Sequence, residues 1–509
     1  MQLLPILLIA AVMAVAGGLR PLGAGWGIPN WTVAVMACGP VVAVLLVIAA
    51  GMKWTQSQMN LGRVPAPIIF AERLARGGRV FMLVNHLIAV LVFGWLGAIR
   101  SVIGDPILLD EVIAVLPPLL GMTGIWWLYY PIERRLHDAM LIRQLDIGGP
   151  IHPTLSRAGY VLLQVRLHLL FLLVPILIIA ALSELMNVAA DAYGISKSSE
   201  WMLGVGKIAA GAGVFMLAPL FARIVLDVRP MALGPMRESL LAVCNRHRVR
   251  IRELLIWHTN GTMFNAAVMG LVGRLRYVLI TDALLETLRE DQVHAVMAHE
   301  IGHVRRHHLP WMVVCLMACF MLVGFILEFP VHMLEERGFF RSQTMVDGVS
   351  IGLGVAELAA GLAMFGWVCR RFERQADTFA VQHLSGLAHA ETSPGSPSGA
   401  EVAAAPPSAP AWPEFAGAKP RVTPVAAQTM CAALEAIARL NTIDINRPSW
   451  RHGSIGWRME YLLSIVGLPI EQLPIDRLVR FIKLGAALIL IFFCGYAVLE
   501  YLRHGGALP

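Results

Sequence analysis

Long apolar runs recur along this chain, and shorter stretches that hold most of its charged residues separate them. A helix needs about 20 apolar residues to cross the hydrocarbon core of a bilayer. Nine runs are candidate spans, and they cover residues 2–18, 31–52, 80–99, 112–130, 166–186, 201–226, 311–333, 349–369 and 479–501. The pattern therefore predicts a mainly α, polytopic, multi-pass membrane protein. The first run is short and lacks a positive n-region, so it is interpreted as an uncleaved helix, with a signal peptide ending at Ala14-Val15-Ala16 as the alternative.

One stretch between spans has the mixed pattern of a small α+β domain. Its apolar and β-branched segments, with glycines at or between their ends, predict one helix and three short strands. The helix is predicted at Met236–Asn245, and the strands at Glu253–His258, Ala266–Leu271 and Tyr277–Thr281. A second helix follows, because Val293, Val296, Met297, Ile301 and Val304 recur at three- and four-residue spacing. Thr287 and Glu290 fit a capping box at its start.

Composition divides the chain further. Residues 385–427 contain eight prolines among many alanines, serines and glycines, which predicts an extended or disordered linker. Five regions are expected. They are an N-terminal membrane region at 1–228, a core domain with two spans at 229–384, the linker at 385–427, a C-terminal helical part of the core domain at 428–478, and a last span with a tail at 479–509.

Charge indicates which way the chain crosses the membrane. Only 15% of residues are charged, against about 25% in soluble domains. The loops 53–79 and 131–157 are rich in arginine, whereas the alternate loops are poor in it. Because basic loops stay in the cytoplasm, the α+β domain and residues 370–478 are also predicted there. The net charge of +7 is assigned to these loops, and no basic patch interleaved with aromatic residues suggests nucleic acid as a partner.

The candidate chemistry lies on the second helix of the α+β stretch, in the run His299-Glu300-Ile301-Gly302-His303. Histidines four apart share one helical face, so both rings can bind one zinc ion while Glu300 holds a water. A catalytic zinc needs a third protein ligand. Glu373 and Asp377 follow span eight on the same predicted side of the membrane, and one can bind the metal while the other orients a ligand imidazole.

Simpler explanations exist for each part of this pattern. The histidine pair alone would fit a soluble helix with surface histidines, and Glu373 with Asp377 alone would fit the solvated end of a membrane helix. Their combination favours one Zn²⁺ per chain. His307 and His308 are expected to lie at the membrane interface or to support a ligand, since they come a turn or more after His303.

The motifs resemble a known family. His299–His308 with Glu373-Arg374-Gln375-Ala376-Asp377 is similar to the integral-membrane zinc metallopeptidases that include HtpX and the CAAX prenyl proteases. The resemblance implies that His299, His303 and Glu373 hold zinc, that Glu300 is the general base, and that Asp377 supports a ligand. It implies an edge strand at Asn265 and Ala266 that binds substrate, and catalytic roles for His452 or Arg458, facing the oxyanion or bracing the metal site. Two departures are Gln375, where the family often has glutamate, and Gly453, where it often has proline.

Three functions follow as hypotheses. The first is a zinc endopeptidase at the cytoplasmic face of a bacterial inner membrane, acting on membrane or unfolded proteins in quality control or processing. The second is CAAX-type processing of lipidated substrates. The third is a non-catalytic sensor or transport module with a structural zinc. The lipid bilayer is a partner in all three, and the oligomeric state is left open.

Overall fold

The computed structural model describes residues 4–146, 154–193, 200–261, 263–339, 343–392, 420–441, 443–471 and 473–503. The chain divides into two compact units, Met1–Val228 and Arg229–Pro509. Across the described residues, eight helical segments are long and apolar enough to cross a membrane. They correspond to eight of the nine candidate spans, and the mainly α, polytopic fold class is confirmed.

The first unit consists of helices. They are α1 (Leu4–Ala16), α2 (Asn30–Asn60), α3 (Ala66–Leu91), α4 (Trp95–Ile103), α5 (Leu109–Asp146), α6 (Arg157–Val165), α7 (Phe171–Ala192) and α8 (Glu200–Val225), with a π-helical turn at Arg166–Leu170. Helices α2, α3 and α5 pack together around Ile48, Met52, Met82 and Ile125, which are fully buried. Helix α1 has 13 residues and is about 20 Å long, which is shorter than the hydrocarbon core of a bilayer.

The second unit combines a small sheet with helices. Its elements are β1 (Val228–Pro230), α9 (Pro235–Arg246), β2 (Glu253–Trp257), β3 (Ala266–Met269), β4 (Tyr277–Thr281), α10 (Asp282–Thr287), α11 (Glu290–Arg305), α12 (His308–Glu336), α13 (Gln343–Thr392), α14 (Pro424–Leu440), α15 (Ile455–Ser464) and α16 (Pro474–Arg503). The strand order is β1-β2-β4-β3. Strand β4 pairs in parallel with β2 and antiparallel with β3. All five residues of β4 are buried, whereas β3 lies at the edge and is partly exposed.

Helix α11 carries the histidine motif, and its start differs from the sequence prediction. The capping box from Thr287 to Glu290 is wrong, because Thr287 is the last residue of α10 and its hydroxyl donates to the Ala283 carbonyl at 2.7 Å. Instead the Arg289 N–H donates to the Gln292 side-chain oxygen at 3.3 Å. The apolar positions behave as predicted, since Val293, Val296, Met297 and Ile301 are buried in the core of the unit.

Helix α13 contains a candidate membrane span and also contacts the motif helix α11. It has 50 residues, so it is about 75 Å long, and its C-terminal part packs on α11. The predicted linker at 385–427 differs at both ends, because residues 385–392 continue α13 and α14 begins at Pro424. The Ser385 hydroxyl accepts from the Thr423 N–H at 3.0 Å, and this bond joins the two flanks. Residues 393–419 of the predicted linker lie outside the described residues.

Candidate metal centre

Close contact between α11 and α13 brings the motif residues together. At Gly302, one position before His303, an added Cβ would lie 3.1 Å from the Cβ of Phe379. A side chain at this position would push the two helices apart. Glycine therefore allows the face of α11 with His299 and His303 to meet the face of α13 with Glu373.

The three predicted ligands converge on one point. The Nε2 atoms of His299 and His303 lie 3.2 Å apart. The carboxylate oxygens of Glu373 lie 3.7 Å from His299 Nε2 and 3.8 Å from His303 Nε2. Zinc–ligand bonds of about 2.0–2.2 Å in a tetrahedron separate ligand atoms by roughly 3.3–3.6 Å. Two imidazoles and one carboxylate at these separations therefore fit a zinc ion.

A buried ion pair holds the first ligand ring. His299 Nδ1 lies 2.8 Å from Asp377 Oδ1, so Asp377 occupies the side of the ring away from the cluster. Arg458 donates to both Asp377 oxygens, from Nε at 2.7 Å and from Nη2 at 2.6 Å. Burial acts to lower the pKa of His299, but the contacts with Asp377 and Glu373 outweigh burial and raise it. Burial also opposes the charge on Arg458, but Asp377 raises its pKa above the usual value.

His452 and Arg458 both contact the third ligand. His452 Nδ1 lies 3.1 Å from Glu373 Oε1, and Arg458 Nη1 lies 3.8 Å from Glu373 Oε2. The Arg458 side chain is 9% exposed, whereas that of His452 is 51% exposed. Of the two roles that the resemblance implied for these residues, bracing the metal site is the one that matches these contacts.

Glu300 lies beside the cluster and is held by the edge strand. Its Oε2 accepts a hydrogen bond from the Val268 N–H at 3.1 Å. Burial is the main reason why the pKa of Glu300 is raised to about 7; the charge of His299 opposes this shift and the charge of Glu373 adds to it. A carboxyl group with such a pKa is suited to exchange protons near neutral pH. Sequence patterns did not single out Val268, because a main-chain donor leaves no mark on the residue type.

The open side of β3 presents alternate peptide groups. The Thr281 N–H donates to the Asn265 carbonyl at 3.0 Å, and the Asn265 N–H donates to Thr281 Oγ1 at 3.1 Å. The main chain of Asn265 is therefore directed at β4. In an antiparallel pair, residues whose N–H and C=O bind the neighbouring strand alternate with residues whose N–H and C=O face away from it. The main-chain groups of Ala266 and Val268 therefore face away from β4. The two predicted substrate-binding residues thus differ, because the main chain of Asn265 is directed at β4 and that of Ala266 at the open edge. The main chain of Val268 is also directed at the open edge.

A cavity of about 610 Å³ connects these groups. His299, Glu300, His303 and Glu373 all line it, together with His452 and Arg458. Much of the remaining wall is apolar and comes from α11, the first turn of α12 and α14, namely Val296, Leu309, Pro310, Met312, Met430, Leu434 and Ile437. The cavity is therefore large enough for several side chains of a peptide.

The second ligand ring has different support. His308 Nδ1 lies 3.0 Å from His303 Nδ1, and His308 Nε2 lies 2.8 Å from Gln375 Oε1. Burial lowers the pKa of His303 to about 4. His307 adopts a left-handed conformation, with φ of 55°, and lines the cavity. Of the two histidines that follow the motif, His308 is thus the one that contacts a ligand.

Comparison with known proteins identifies the domain. Residues 253–392, from β2 to the end of α13, match the family model described as Peptidase family M48. This segment of the chain resembles the M48 peptidases. The predicted family resemblance is confirmed, and the matched segment contains His299, Glu300, His303, Glu373 and Asp377, while His452 and Arg458 lie beyond it.

Two curated relatives are plant proteins. The CAAX prenyl protease 1 homolog of Arabidopsis thaliana is 28% identical over 173 residues, which are 33% of this chain and 40% of the relative. The CAAX prenyl protease 1 homolog of Oryza sativa subsp. japonica is 27% identical over 171 residues, or 32% of this chain and 39% of the relative. The chain thus matches about 40% of the length of these relatives. The crystal structure of S. mikatae Ste24p aligns over 87% of this chain and 99% of that chain, with a TM-score of 0.44 and 14% identity.

Proposed function

We propose that this protein is a membrane-embedded, zinc-dependent endopeptidase. One observation carries the proposal: the two imidazoles and the carboxylate that fit a zinc ion line the same cavity as Glu300, a partly buried glutamate. His299, His303 and Glu373 would hold the metal. A zinc ion at this site would lower the pKa of a bound water and polarise the carbonyl of the scissile peptide bond.

Glu300 would act as the general base. Its raised pKa suits it to take a proton from the attacking water and to return it to the leaving amine. The Val268 N–H holds one carboxylate oxygen of Glu300, which leaves the other oxygen for the water. A structural zinc site has no use for such a base, so Glu300 argues against the hypothesis of a non-catalytic sensor or transport module.

The edge strand would bind the substrate in an extended conformation. An added strand pairs with free main-chain groups. On the open side of β3 these are the N–H and carbonyl of Ala266 and the carbonyl of Val268, whose N–H is already bound to Glu300. The apolar wall of the cavity favours large aliphatic or aromatic side chains of the substrate. Main-chain pairing with apolar pockets fits membrane proteins or unfolded proteins, which expose both features.

The catalytic domain would lie at the cytoplasmic face of the membrane. The basic stretches 53–79 and 131–157, which lie partly in α3 and α5, support this orientation, since positive charges next to membrane spans are retained in the cytoplasm. The likeness to HtpX favours a bacterial inner membrane and a role in protein quality control or processing.

CAAX-type processing is a second candidate. The two curated relatives are named CAAX prenyl protease 1 homologs. The chemistry of peptide cleavage would be the same, but the substrate would be a prenylated C-terminal peptide.

Purified full-length protein distinguishes these functions. Zinc-loaded protein should hydrolyse unmodified casein, lose that activity in a chelator, and regain it when zinc is returned. Cleavage of a prenylated peptide without cleavage of casein or of the unprenylated peptide would support CAAX-type processing instead. No hydrolysis of any of these substrates by zinc-loaded, folded protein would contradict both functions.

A further inference from the structure

A buried polar chain extends from the ring of His303 to the start of α16. His303 Nδ1 meets His308 Nδ1 at 3.0 Å, and His308 Nε2 meets Gln375 Oε1 at 2.8 Å. Gln375 Nε2 then donates to Asp476 Oδ1 at 2.6 Å. His308 is fully buried and Gln375 nearly so. Three helices, α12, α13 and α16, therefore contribute one residue each behind a predicted metal ligand.

The direction of each hydrogen bond in this series follows from Asp476, the residue farthest from His303. The Asp476 carboxylate only accepts, so the amide nitrogen of Gln375 faces it and the amide oxygen faces His308. His308 Nε2 must then carry a proton. His308 stacks on Phe372 with ring centroids 4.7 Å apart and is fully buried, which disfavours a charged imidazolium.

A neutral His308 with its proton on Nε2 can only accept at Nδ1. The His303 ring must therefore donate from Nδ1, which leaves its Nε2 unprotonated and directed at the ligand cluster. The neutral His299 ring reaches the same state independently, because its Nδ1 faces the Asp377 carboxylate and carries the proton. Two nitrogen lone pairs thus face each other at 3.2 Å, an arrangement that a shared cation stabilises.

We infer that Gln375 and Asp476 are positioning residues that fix the tautomer of His303 through His308, so that its Nε2 is ready to bind a metal ion. This inference rests on the proposed zinc site. It also gives Gln375 a physical role, although the resembled family often has glutamate there. A glutamate at 375 would place a second carboxylate 2.6 Å from that of Asp476. The identity of residue 375 is therefore tied to the identity of residue 476.

Exchanging the amide at residue 375 with the carboxylate at residue 476 tests this dependence. In Gln375→Glu, two carboxylates meet, and the affinity for zinc should fall about 10–100-fold, the usual effect of losing a partner of a metal ligand. In Gln375→Glu with Asp476→Asn, the Asn amide donates to the new carboxylate, which still accepts from His308. Net charge equals that of the wild type, and the affinity should return to within about threefold of the wild-type value.

Gln382→Glu is the matched control. Gln382 Nε2 also approaches Asp476, at 3.4 Å from Oδ2, and it donates to the Ile470 carbonyl at 2.8 Å. The same substitution there adds a negative charge near Asp476, but Gln382 is not one of the residues that connect Asp476 to His303 by hydrogen bonds. We expect its zinc affinity to stay within about threefold of the wild type.

Zinc dissociation constants, measured by competition with a chelator on full-length protein in detergent, give the result without any assay of hydrolysis. Thermal unfolding of the zinc-free variants shows that each one folds. The inference is overturned if Gln375→Glu binds zinc as the wild type does, if the double variant is no better than the single one, or if Gln382→Glu is equally weakened. If the variants show the expected zinc affinities but the protein cleaves no peptide, the positioning role is upheld and the proposed peptidase activity is rejected.

Discussion

Arg458 holds Asp377 through two parallel hydrogen bonds, from Nε at 2.7 Å and from Nη2 at 2.6 Å. Both residues are buried, and Asp377 in turn contacts the ring of His299. The pair therefore joins α15 to the metal centre, because α15 supplies Arg458 and α13 supplies Asp377.

Removing the arginine should destabilise the fold. Arg458→Ala leaves the Asp377 carboxylate buried without its partner, which typically costs about 3–5 kcal/mol of the free energy of unfolding. Arg458→Lys keeps the charge but loses the two-point contact, so its loss should be smaller. Thermal unfolding in detergent measures both. Arg439→Ala, at an exposed position of α14, is the control and should change stability by less than about 0.5 kcal/mol. Equal unfolding temperatures for Arg458→Ala and this control would reject the structural role of the ion pair.

Zinc affinity should weaken at low pH through one histidine. A ring that binds metal must be neutral, so protons compete below its pKa. Contacts with Asp377 and Glu373 outweigh burial and raise the pKa of His299, whereas burial lowers that of His303 to about 4, so above pH 5 His299 is the ring of the two at which protons compete with zinc. The zinc dissociation constant should rise by at most about tenfold per pH unit below the pKa of His299, as one displaced proton requires.

This measurement is best made in a Glu300→Gln background, because the pKa of Glu300 is itself about 7. A slope near a hundredfold per unit would mean that both rings titrate together. An affinity independent of pH over this range would show that His299 is not a ligand.

The main-chain donor of Val268 should matter more than its side chain. Val268→Pro removes the N–H that holds Glu300, and proline is tolerated where an edge strand faces outward. We expect kcat/KM to fall about 10–1000-fold while the zinc content stays at one ion per chain. Val268→Ala keeps the N–H and is the control, with an expected loss of less than about threefold. Equal losses in the two variants would assign the effect to packing of the side chain.

Gly302 should set the distance between the histidines and Glu373. Gly302→Val places side-chain atoms against Phe379, and overpacking of this kind costs about 1–3 kcal/mol. The strain should separate α11 from α13 and weaken zinc binding. Gly302→Val with Phe379→Ala should recover part of the affinity. Gly213→Ala in α8, where an added Cβ meets nothing within 4 Å, should have no effect on zinc binding. If Gly302→Val binds zinc with wild-type affinity, the close helix contact does not determine the site.

The sequence predicts the spans and the motif helix well, because both depend on local periodicity. Tyr277–Thr281 is found as predicted, while β3 ends at Met269, two residues before the predicted Leu271. Glu373, which follows span eight, was predicted as a ligand from the family resemblance, and it lies near both histidines. The roles of Val268 and Asp476 could not be predicted, since a main-chain donor and a contact across 101 residues depend on how the helices pack.

Errors of the sequence analysis arise where one residue type suits two structures. Thr287 resembles a helix cap but ends the preceding helix instead. The alanines near both flanks of the predicted linker fit a low-complexity segment, yet they are also strong helix formers and belong to α13 and α14. Tertiary contacts such as the bond between Ser385 and Thr423 settle these cases.

The role of Glu300 as the general base at a zinc site is tested most directly by Glu300→Gln. The variant keeps the size of the side chain but cannot accept a proton from water. Zinc content and casein hydrolysis should be measured on the same preparation. We predict one zinc ion per chain with hydrolysis reduced by at least about a hundredfold. Hydrolysis at the wild-type rate by a zinc-loaded Glu300→Gln protein would contradict the proposed mechanism.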